Sequence, residues 1–164
     1  MKKSMIGLFL SGLLAITSIS GCSLIKPIPD SFSISINTSS DLNPDDDDRS
    51  SPVVLRVYEL SDDKLFNESD FFDLYDEDSE VFETAFYLKK QEMELNPNES
   101  RKLDMTLSDD TKYVGFIAAY RDIDAAKWRE VHSITKQRAT GVPVYSSRGL
   151  VVDLKKNKIV VSGK

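Results

Sequence analysis

The chain contains a single cysteine, Cys22, and its thiol is the group whose position most clearly suggests covalent chemistry. It follows the small residues Ser20 and Gly21 and an apolar run, Met5–Ile19, which itself follows two lysines. A positive start, a short apolar region and small residues before a cleavage point are typical of a secretory signal peptide. The run is shorter than the roughly 20 apolar residues that a membrane-spanning helix needs. Residues 1–21 are therefore predicted to be a signal peptide for export.

The stretch Ile19-Ser20-Gly21-Cys22 resembles a bacterial lipobox, which implies cleavage before Cys22 and lipidation of its thiol. Stable attachment takes more than one acyl chain, since each buried CH₂ contributes roughly 0.8 kcal/mol. In enterobacterial-type sorting, Asp after the cysteine favours the inner membrane. Ser23 at that position therefore implies the outer membrane, facing the periplasm. The alternative is ordinary secretion with an unmodified cysteine, which is a liability in an oxidising compartment.

Residues 22–31 are predicted to form the lipidated N-terminus and a short tether to a folded domain. Pro27 and Pro29 restrict the backbone and keep this segment extended. Residues 32–164 are long enough for one self-sufficient core. The tether is short, so that core must stay close to the membrane surface.

The residue types that usually carry catalysis do not form a recognisable constellation in this sequence. His132 is the only histidine, and no spacing places a nucleophile or a carboxylate pair beside it. The sequence has no P-loop, nucleophile elbow, dinucleotide fingerprint or histidine pair for zinc. We therefore predict that the protein is not an enzyme and takes no cofactor, apart from the covalent lipid on Cys22. We also predict no small-molecule substrate.

An uninterrupted acidic run, Asp45–Asp48, lies within a polar stretch from Thr38 to Ser51. Carboxylates attract Ca²⁺, but the alternating spacing and central glycine of an EF-hand loop are absent, so no metal site is predicted. A connection of this length is often functional. Two interpretations remain open: a solvated loop that aids solubility, and a loop that docks on a basic partner surface.

The net charge of −6 excludes some classes of partner. Removing the signal peptide removes Lys2 and Lys3 and makes the chain more negative by two. Nucleic acid is not expected as a partner, because it requires clustered Lys and Arg. An anionic lipid surface is not expected as a second anchor for the same reason.

Alternating apolar and polar residues predict an all-β domain. The pattern is typical of half-buried strands, and Tyr113–Arg121, apolar on both faces, is expected to be a central strand. Turn residues at regular spacing favour a two-sheet β-sandwich of seven or eight strands. One helical turn is predicted at residues 123–126. The strand-like stretches from which these seven or eight strands are counted cover residues 32–37, 53–60, part of 86–95, 103–107, 113–121, 128–134, 144–145, 150–154 and 159–161.

Residues 67–79 change period and predict one short acidic helix inserted in the sandwich. Phe71, Leu74, Tyr75 and Asp78 fall on one stripe, as an amphipathic helix requires. Either Asn67 or Ser69 is expected to cap its start, with Asp70 adding negative charge in the first turn. The aromatic side chains, including those of Phe72 and Trp128, are expected to be buried in packing rather than to bind a ligand.

Four stretches in order resemble the TssJ family, the outer-membrane lipoproteins of the type VI secretion system. They are Ser51–Leu60, Asp70–Tyr75, Tyr113–Asp122 and Ala126–Arg129, and with the lipobox in front the resemblance covers essentially the whole mature chain. The chain departs from the family in two connections. It has Pro97-Asn98 where a Pro-Gly turn is common, and Val81-Phe82 where a Leu-Gly pair is common.

The resemblance implies a transthyretin-like β-sandwich with an added helical segment. It also implies a role: anchoring the type VI secretion membrane complex to the outer membrane by binding the periplasmic C-terminal region of TssM. In the family the loop between the first two strands takes part in that contact, and here it corresponds to Thr38–Ser51. The partner-binding residues predicted on this basis are Asp41, Leu42, Asn43, Pro44, Asp45, Asp46, Asp47, Asp48 and Arg49.

A second function class stays open at this point. Transthyretin-like sandwiches also bind small molecules, and a fold does not fix a function. The alternative hypothesis is a lipidated periplasmic module that binds a small ligand or Ca²⁺.

Overall fold

The computed structural model describes residues 31–76, 87–134, 136–139, 142–145 and 149–164. Cys22, Ser23 and the predicted tether before residue 31 lie outside the described residues. The described part contains ten strands and two short helices. The helices are α1 (Lys64–Glu68) and α2 (Phe71–Tyr75), and the strands are β1 (Ser31–Thr38), β2 (Val53–Leu60), β3 (Tyr87–Leu95), β4 (Ser100–Thr106), β5 (Tyr113–Ala118), β6 (Arg129–Ser133), β7 (Lys136–Ala139), β8 (Val142–Tyr145), β9 (Gly149–Lys155) and β10 (Lys158–Gly163).

Two four-stranded sheets form the sandwich that the sequence predicts. The first sheet has the order β10-β9-β1-β4, with β1 parallel to β9 and antiparallel to β4. The second sheet has the order β3-β2-β5-β6 and is antiparallel throughout. Strands β7 and β8 form a separate two-stranded hairpin. The expected all-β fold is confirmed, and the two sheets of the sandwich have eight strands, within the seven or eight predicted; the β7–β8 hairpin is additional to them.

The main core lies between the two sheets and follows the alternation read from the sequence. Phe32, Ile34 and Ile36 of β1 are buried, while the residues between them are less so. They pack in one cluster with Leu55 and Val57 of β2 and with further residues from β5, β9 and β10. Apolar contacts of this kind must hold the domain together, since Cys22 is the only cysteine and no disulfide can form.

The second sheet is apolar on its outer face as well, and the two helices cover that face. Tyr58 and Leu60 of β2 and Ile117 of β5 form a second buried cluster with Phe66 of α1 and Leu74 of α2. The domain therefore has three layers: the first sheet, the second sheet and the helical pair. Burial of β5 on both faces confirms the prediction of a central strand.

The prediction of one helix over residues 67–79 is wrong. Two short helices, α1 and α2, lie between residues 64 and 75, and the chain is not helical at Ser69 and Asp70. Ser69 and Asp70 have extended backbones with ψ of 152° and 178°. Arg129 favours the break, because its Nη1 donates to the carbonyls of Phe66 at 2.7 Å and Ser69 at 2.6 Å. These carbonyls lie at the C-terminal end of α1, where helices lack internal donors.

The capping assignments for this segment also change. Asp70 is the N-cap of α2, where its Oδ1 accepts a hydrogen bond from the Asp73 amide at 3.0 Å, so it does not lie in the first turn. Asp63 precedes α1 but makes no side-chain capping bond, and neither Asn67 nor Ser69 caps a helix start. Asp78 lies outside the described residues.

The predictions for Phe72, Trp128 and residues 123–126 can also be compared with the structure. Phe72 is 63% exposed, so the expectation that it is buried is wrong. Trp128 is half-buried and packs against both clusters. Residues 123–125 form a hydrogen-bonded turn rather than a helical turn, and Asp122 Oδ1 accepts from the Ala125 amide at 3.2 Å.

Gly115 makes room for α1 on the second sheet. A Cβ added at this position would lie 2.7 Å from Phe66 Cζ and 3.0 Å from Leu60 Cδ1. Both of these side chains are fully buried and cannot easily move away. The absence of a side chain at Gly115 therefore lets the Phe66 ring pack directly on β5.

We predict that Gly115→Ala lowers the free energy of unfolding by about 1–3 kcal/mol, the usual cost of overpacking a filled core. Urea denaturation of the soluble domain would measure the change. Gly163→Ala, at an exposed position near the end of β10, is the control and is expected to have little effect. Equal stability of the Gly115 variant and the control would show that Phe66 can repack without cost.

Candidate functional site

The loop between β1 and β2, residues 39–52, crosses from the first sheet to the second at one end of the sandwich. Backbone hydrogen bonds fix both of its branches. Ser39 donates to the Leu154 carbonyl at 2.9 Å, and Ser51 donates to the Leu42 carbonyl at 3.0 Å. The loop predicted to bind a partner is therefore folded against the domain rather than extended away from it.

Asn43 is the residue that fixes the base of this loop. It is 4% exposed and its φ of 46° lies in the left-handed region, which asparagine tolerates better than most residues. Its amide donates to the Lys156 carbonyl at 2.9 Å, and its Nδ2 donates to the Pro52 carbonyl at 2.6 Å. Its Oδ1 accepts from the Arg121 amide at 2.8 Å. Asn43 thus closes its own loop through Pro52 and joins that loop to Arg121 and Lys156, which are distant in sequence.

The tip of the loop is closed by Asp45 and Arg49. Asp45 Oδ1 accepts from the amides of Asp47 at 3.0 Å and Arg49 at 2.9 Å, and its Oδ2 accepts from Arg49 Nε at 2.8 Å. The Arg49 amide, followed by the Arg49 side chain and the Asp47 amide, holds the pKa of the Asp45 carboxyl below its usual range despite some desolvation. Asp48, with φ of 56°, donates its amide to the Asp45 carbonyl at 2.9 Å and completes the turn.

Neighbouring cations partly neutralise the acidic run. Arg49 Nη2 lies 2.8 Å from Asp45 Oδ2 and 3.0 Å from Asp47 Oδ2, and Lys156 Nζ lies 3.2 Å from Asp48 Oδ1. Asp46 is exposed and makes no ion pair with any residue that the structure describes. The surface that the tip presents is still net acidic, and Asp46 is its most available carboxylate.

A groove of about 470 Å³ runs along the base of the loop. Carboxylates and cations both line it, so it suits a polar partner surface better than an apolar ligand. Burial raises the pKa of the Tyr120 phenol, which therefore stays protonated and donates to the Lys155 carbonyl at 3.2 Å. The lining residues are Asn43, Pro44, Asp45, Asp46, Tyr120, Arg121, Asp122, Lys156 and Asn157.

The predicted site residues fall into two groups. The first group is Leu42, which is fully buried, and Asn43, which is nearly so; these two residues hold the loop against the domain. Pro44 and Asp45 are half-buried, while Asp41 and residues 46–49 are exposed and open to a partner. Sequence reasoning did not include Tyr120, Arg121 and Asp122, which the fold brings beside the loop. Partner contact by this loop stays a prediction.

Two further features of the described residues bear on chemistry. Within them, no group of three or more His, Cys, Asp or Glu side chains is arranged to hold a metal ion. Both carboxylate oxygens of Asp45 already accept hydrogen bonds from the loop itself. His132 lies in β6 opposite Val114, in the strand where the sequence placed it.

Neither of the two described helices is long and apolar enough to cross a membrane.

The chain is similar to known proteins over most of its length. Residues 30–158 match the family model T6SS-SciN, described as type VI secretion lipoprotein, with VasD, EvfM and TssJ as member names. The crystal structure of the type VI secretion lipoprotein TssJ1 from Pseudomonas aeruginosa is similar, with 31% identity and a TM-score of 0.72. That similarity covers 84% of this chain and 98% of the other.

More distant structures share the fold. Lip from Serratia marcescens, described as a membrane-bound component of the type VI secretion system, is 22% identical with a TM-score of 0.71, covering 83% of this chain and 99% of the other. A chain of a structure described as the C-terminal domain of TssM from EAEC is 19% identical with a TM-score of 0.62. That similarity covers 82% of this chain and 98% of the other. No curated protein matches the chain.

We predict that Asn43→Ala loosens the loop and destabilises the domain by about 1–3 kcal/mol, because the Arg121 amide and the Pro52 carbonyl lose their partner. Amide hydrogen exchange at Arg121 and Asp47, together with urea denaturation, would measure both effects. Asn43→Gly is the matched control: it loses the same side-chain bonds but keeps the left-handed backbone without strain. A stable Ala variant with unchanged exchange would contradict the assigned role.

Proposed function

This chain belongs to the type VI secretion lipoprotein family that includes TssJ, and on that basis we propose that it anchors the type VI secretion membrane complex. In this proposal the lipidated protein is held in the outer membrane, faces the periplasm, and binds the periplasmic C-terminal region of TssM. The proposed role is non-enzymatic. Family membership is the observation that carries the proposal, and the acidic loop gives it a candidate contact.

The loop between β1 and β2 has two properties that suit a contact. Its base is rigid because Asn43 ties it to two other connections, through Arg121 and Lys156, so little conformational entropy is lost on binding. Its tip exposes carboxylates, and within the described residues Asp46 makes no ion pair, unlike Asp45, Asp47 and Asp48. Acidic groups at an exposed tip would steer a basic surface of TssM into register.

The groove beside the loop extends the proposed contact. Arg121 and Lys156 lie next to Asp45 and Asp122 there, so the surface alternates in charge over a short distance. A partner that complements both signs gains specificity as well as association rate. We propose that the loop and the groove together form the TssM contact, with Leu42 and Asn43 supporting it from below.

The tether sets where this contact can occur. In the proposal, cleavage frees Cys22, its thiol carries the lipid, and Ser23 allows transfer to the outer membrane. Strand β1 begins at Ser31, so the segment after the cysteine reaches at most about 30 Å. The loop follows the other end of β1, so the tether and the loop lie at opposite ends of this strand. In the proposal the loop therefore faces the periplasm, where the distal end of a partner rooted in the inner membrane would meet it.

Binding to TssM is the first test of this function. The mature lipidated chain in detergent is titrated calorimetrically with the periplasmic region of TssM from the same genome, at two salt concentrations. We expect Asp46→Lys to weaken binding by about tenfold or more. Two like charges facing each other across an interface cost several kcal/mol, and about 1.4 kcal/mol corresponds to a tenfold change in affinity.

Asp110→Lys is the matched control, because it makes the same charge change at an exposed turn before β5, the opposite end of that strand from the loop. An unchanged affinity of the Asp46→Lys variant would show that the acidic tip is not part of the contact. No binding by the unaltered protein would contradict the proposed role.

Lipid attachment is tested separately. We expect Cys22→Ser to leave the protein soluble in the periplasm and to abolish type VI secretion, because the thiol that carries the acyl chains is gone. Membrane fractionation and an effector-release assay would measure the two effects. Secretion at the normal level by the soluble variant would show that anchoring is not needed.

A further inference from the structure

The helical pair presents an aromatic face to solvent on the far side of the second sheet. We call this surface, formed by Phe71, Phe72, Tyr75 and Trp128, the aromatic face, and Leu65 is exposed on the neighbouring helix α1. The Phe71 ring lies 5.4 Å from the Phe72 ring, 5.0 Å from the Tyr75 ring and 5.2 Å from the Trp128 ring. Phe72 is 63% exposed and Leu65 is 38% exposed. More than half of the Phe72 side chain is therefore open to a partner.

Two arginines of the second sheet hold this face rigidly. Arg129 binds the end of α1 and places its guanidinium 4.7 Å from the centre of the Trp128 ring. Arg56, 7% exposed, donates from Nη1 to the Tyr75 carbonyl and stacks at 3.8 Å over the Tyr75 ring. Its Nε also donates to Glu92 Oε2 at 2.5 Å. Aromatic side chains fixed in advance on such a support lose little entropy when they bind.

The rim of the aromatic face is strongly acidic. Within residues 62–76, Lys64 is the only basic side chain of the described segment. The acidic side chains exposed around the helices are Asp62, Glu68, Asp70, Asp73 and Asp76. An apolar centre with mainly acidic surroundings is complementary to an apolar anchor flanked by basic residues.

We propose that the aromatic face docks a positively charged protein segment that places an apolar side chain against Phe72. Aromatic residues and arginine are the types most often found where binding energy concentrates, and both are present here. An anionic membrane surface is disfavoured, because the acidic rim would repel its headgroups. A second copy of this chain is also disfavoured, because its net charge is −6.

This surface is separate from the proposed TssM contact. The loop 39–52 lies at the end of the sandwich where β2 begins, whereas the helices cover the outer face of the second sheet. A basic segment on the aromatic face therefore leaves the loop free. Binding at the aromatic face would be a role additional to anchoring, and it does not depend on which partner the loop binds.

Site-specific photo-crosslinking in the native host tests this proposal with the full lipidated chain. A benzoylphenylalanine replaces Leu65, and the cross-linked peptides are identified by mass spectrometry. The same photo-reactive residue at Val160, 41% exposed on β10 of the first sheet, is the positional control. We expect cross-links from position 65 to a protein segment of net positive charge that contains an apolar residue.

Two substitutions in this background test the two halves of the recognition. Phe72→Ser removes the apolar anchor, and Glu68→Lys reverses one charge of the rim at the end of α1, where a cation suits the helix. Each is expected to lower the cross-link yield by about fivefold or more, and Asp110→Lys is expected to leave it unchanged. Glu68→Lys keeps the test valid if the Phe72 variant folds poorly.

Three cross-linking products would overturn the proposal. They are cross-links from position 65 to lipid, to a second copy of this chain, or to residues 77–86 of its own chain. A yield no higher than that from position 160 also overturns it. Cross-links that survive both substitutions would show that neither the ring nor the charge recognises the partner.

Discussion

The second sheet is apolar on both faces, and most of the structure follows from the need to cover both. Its inner face carries Leu55, Val57 and Phe116, which pack against the first sheet in the main core. Its outer face carries Tyr58 and Ile117, which would meet water if the domain had only two layers. Burying such surface stabilises the fold by roughly 25 cal/mol per Å², so a third layer is favoured.

The third layer is made of two helices that are too short to be stable alone, since isolated helices need about 12–15 residues. They persist because the sheet supplies what they lack. Phe66 packs on Gly115, and the guanidinium groups of Arg129 and Arg56 bind carbonyls at the ends of α1 and α2. The helices carry more aromatic surface than the sheet can cover, and Phe72 is left outside. The same packing that completes the fold thus creates an exposed apolar surface.

The loop between β1 and β2 is under a different constraint. Its ends are fixed by the two sheets, and the several carboxylates that it carries close together repel one another. Local bonds from Asp45 to the Arg49 backbone and side chain shape the tip, and Asn43 fixes the base through Arg121 and Pro52. Cations from Arg49 and Lys156 reduce the repulsion between aspartates without cancelling it. Rigidity and residual negative charge therefore coexist in this loop, and both favour specific binding to a basic surface.

The sequence by itself determined the all-β class, the β1, β2 and β5 strands and the acidic loop, because period-two alternation and turn residues are local signals. It also carried enough family-specific stretches to identify the family. The tertiary structure decided what depends on contacts between distant residues. Arg129 breaks the helical segment from 60 or more positions away, so helical periodicity alone predicted one helix. Tyr120 and Lys156 join Asn43 in one groove only because β5 ends beside the start of β2 and β9 ends beside the end of β1. Burial of Asn43 and exposure of Phe72 likewise follow from packing, since side-chain type alone predicts the reverse for both.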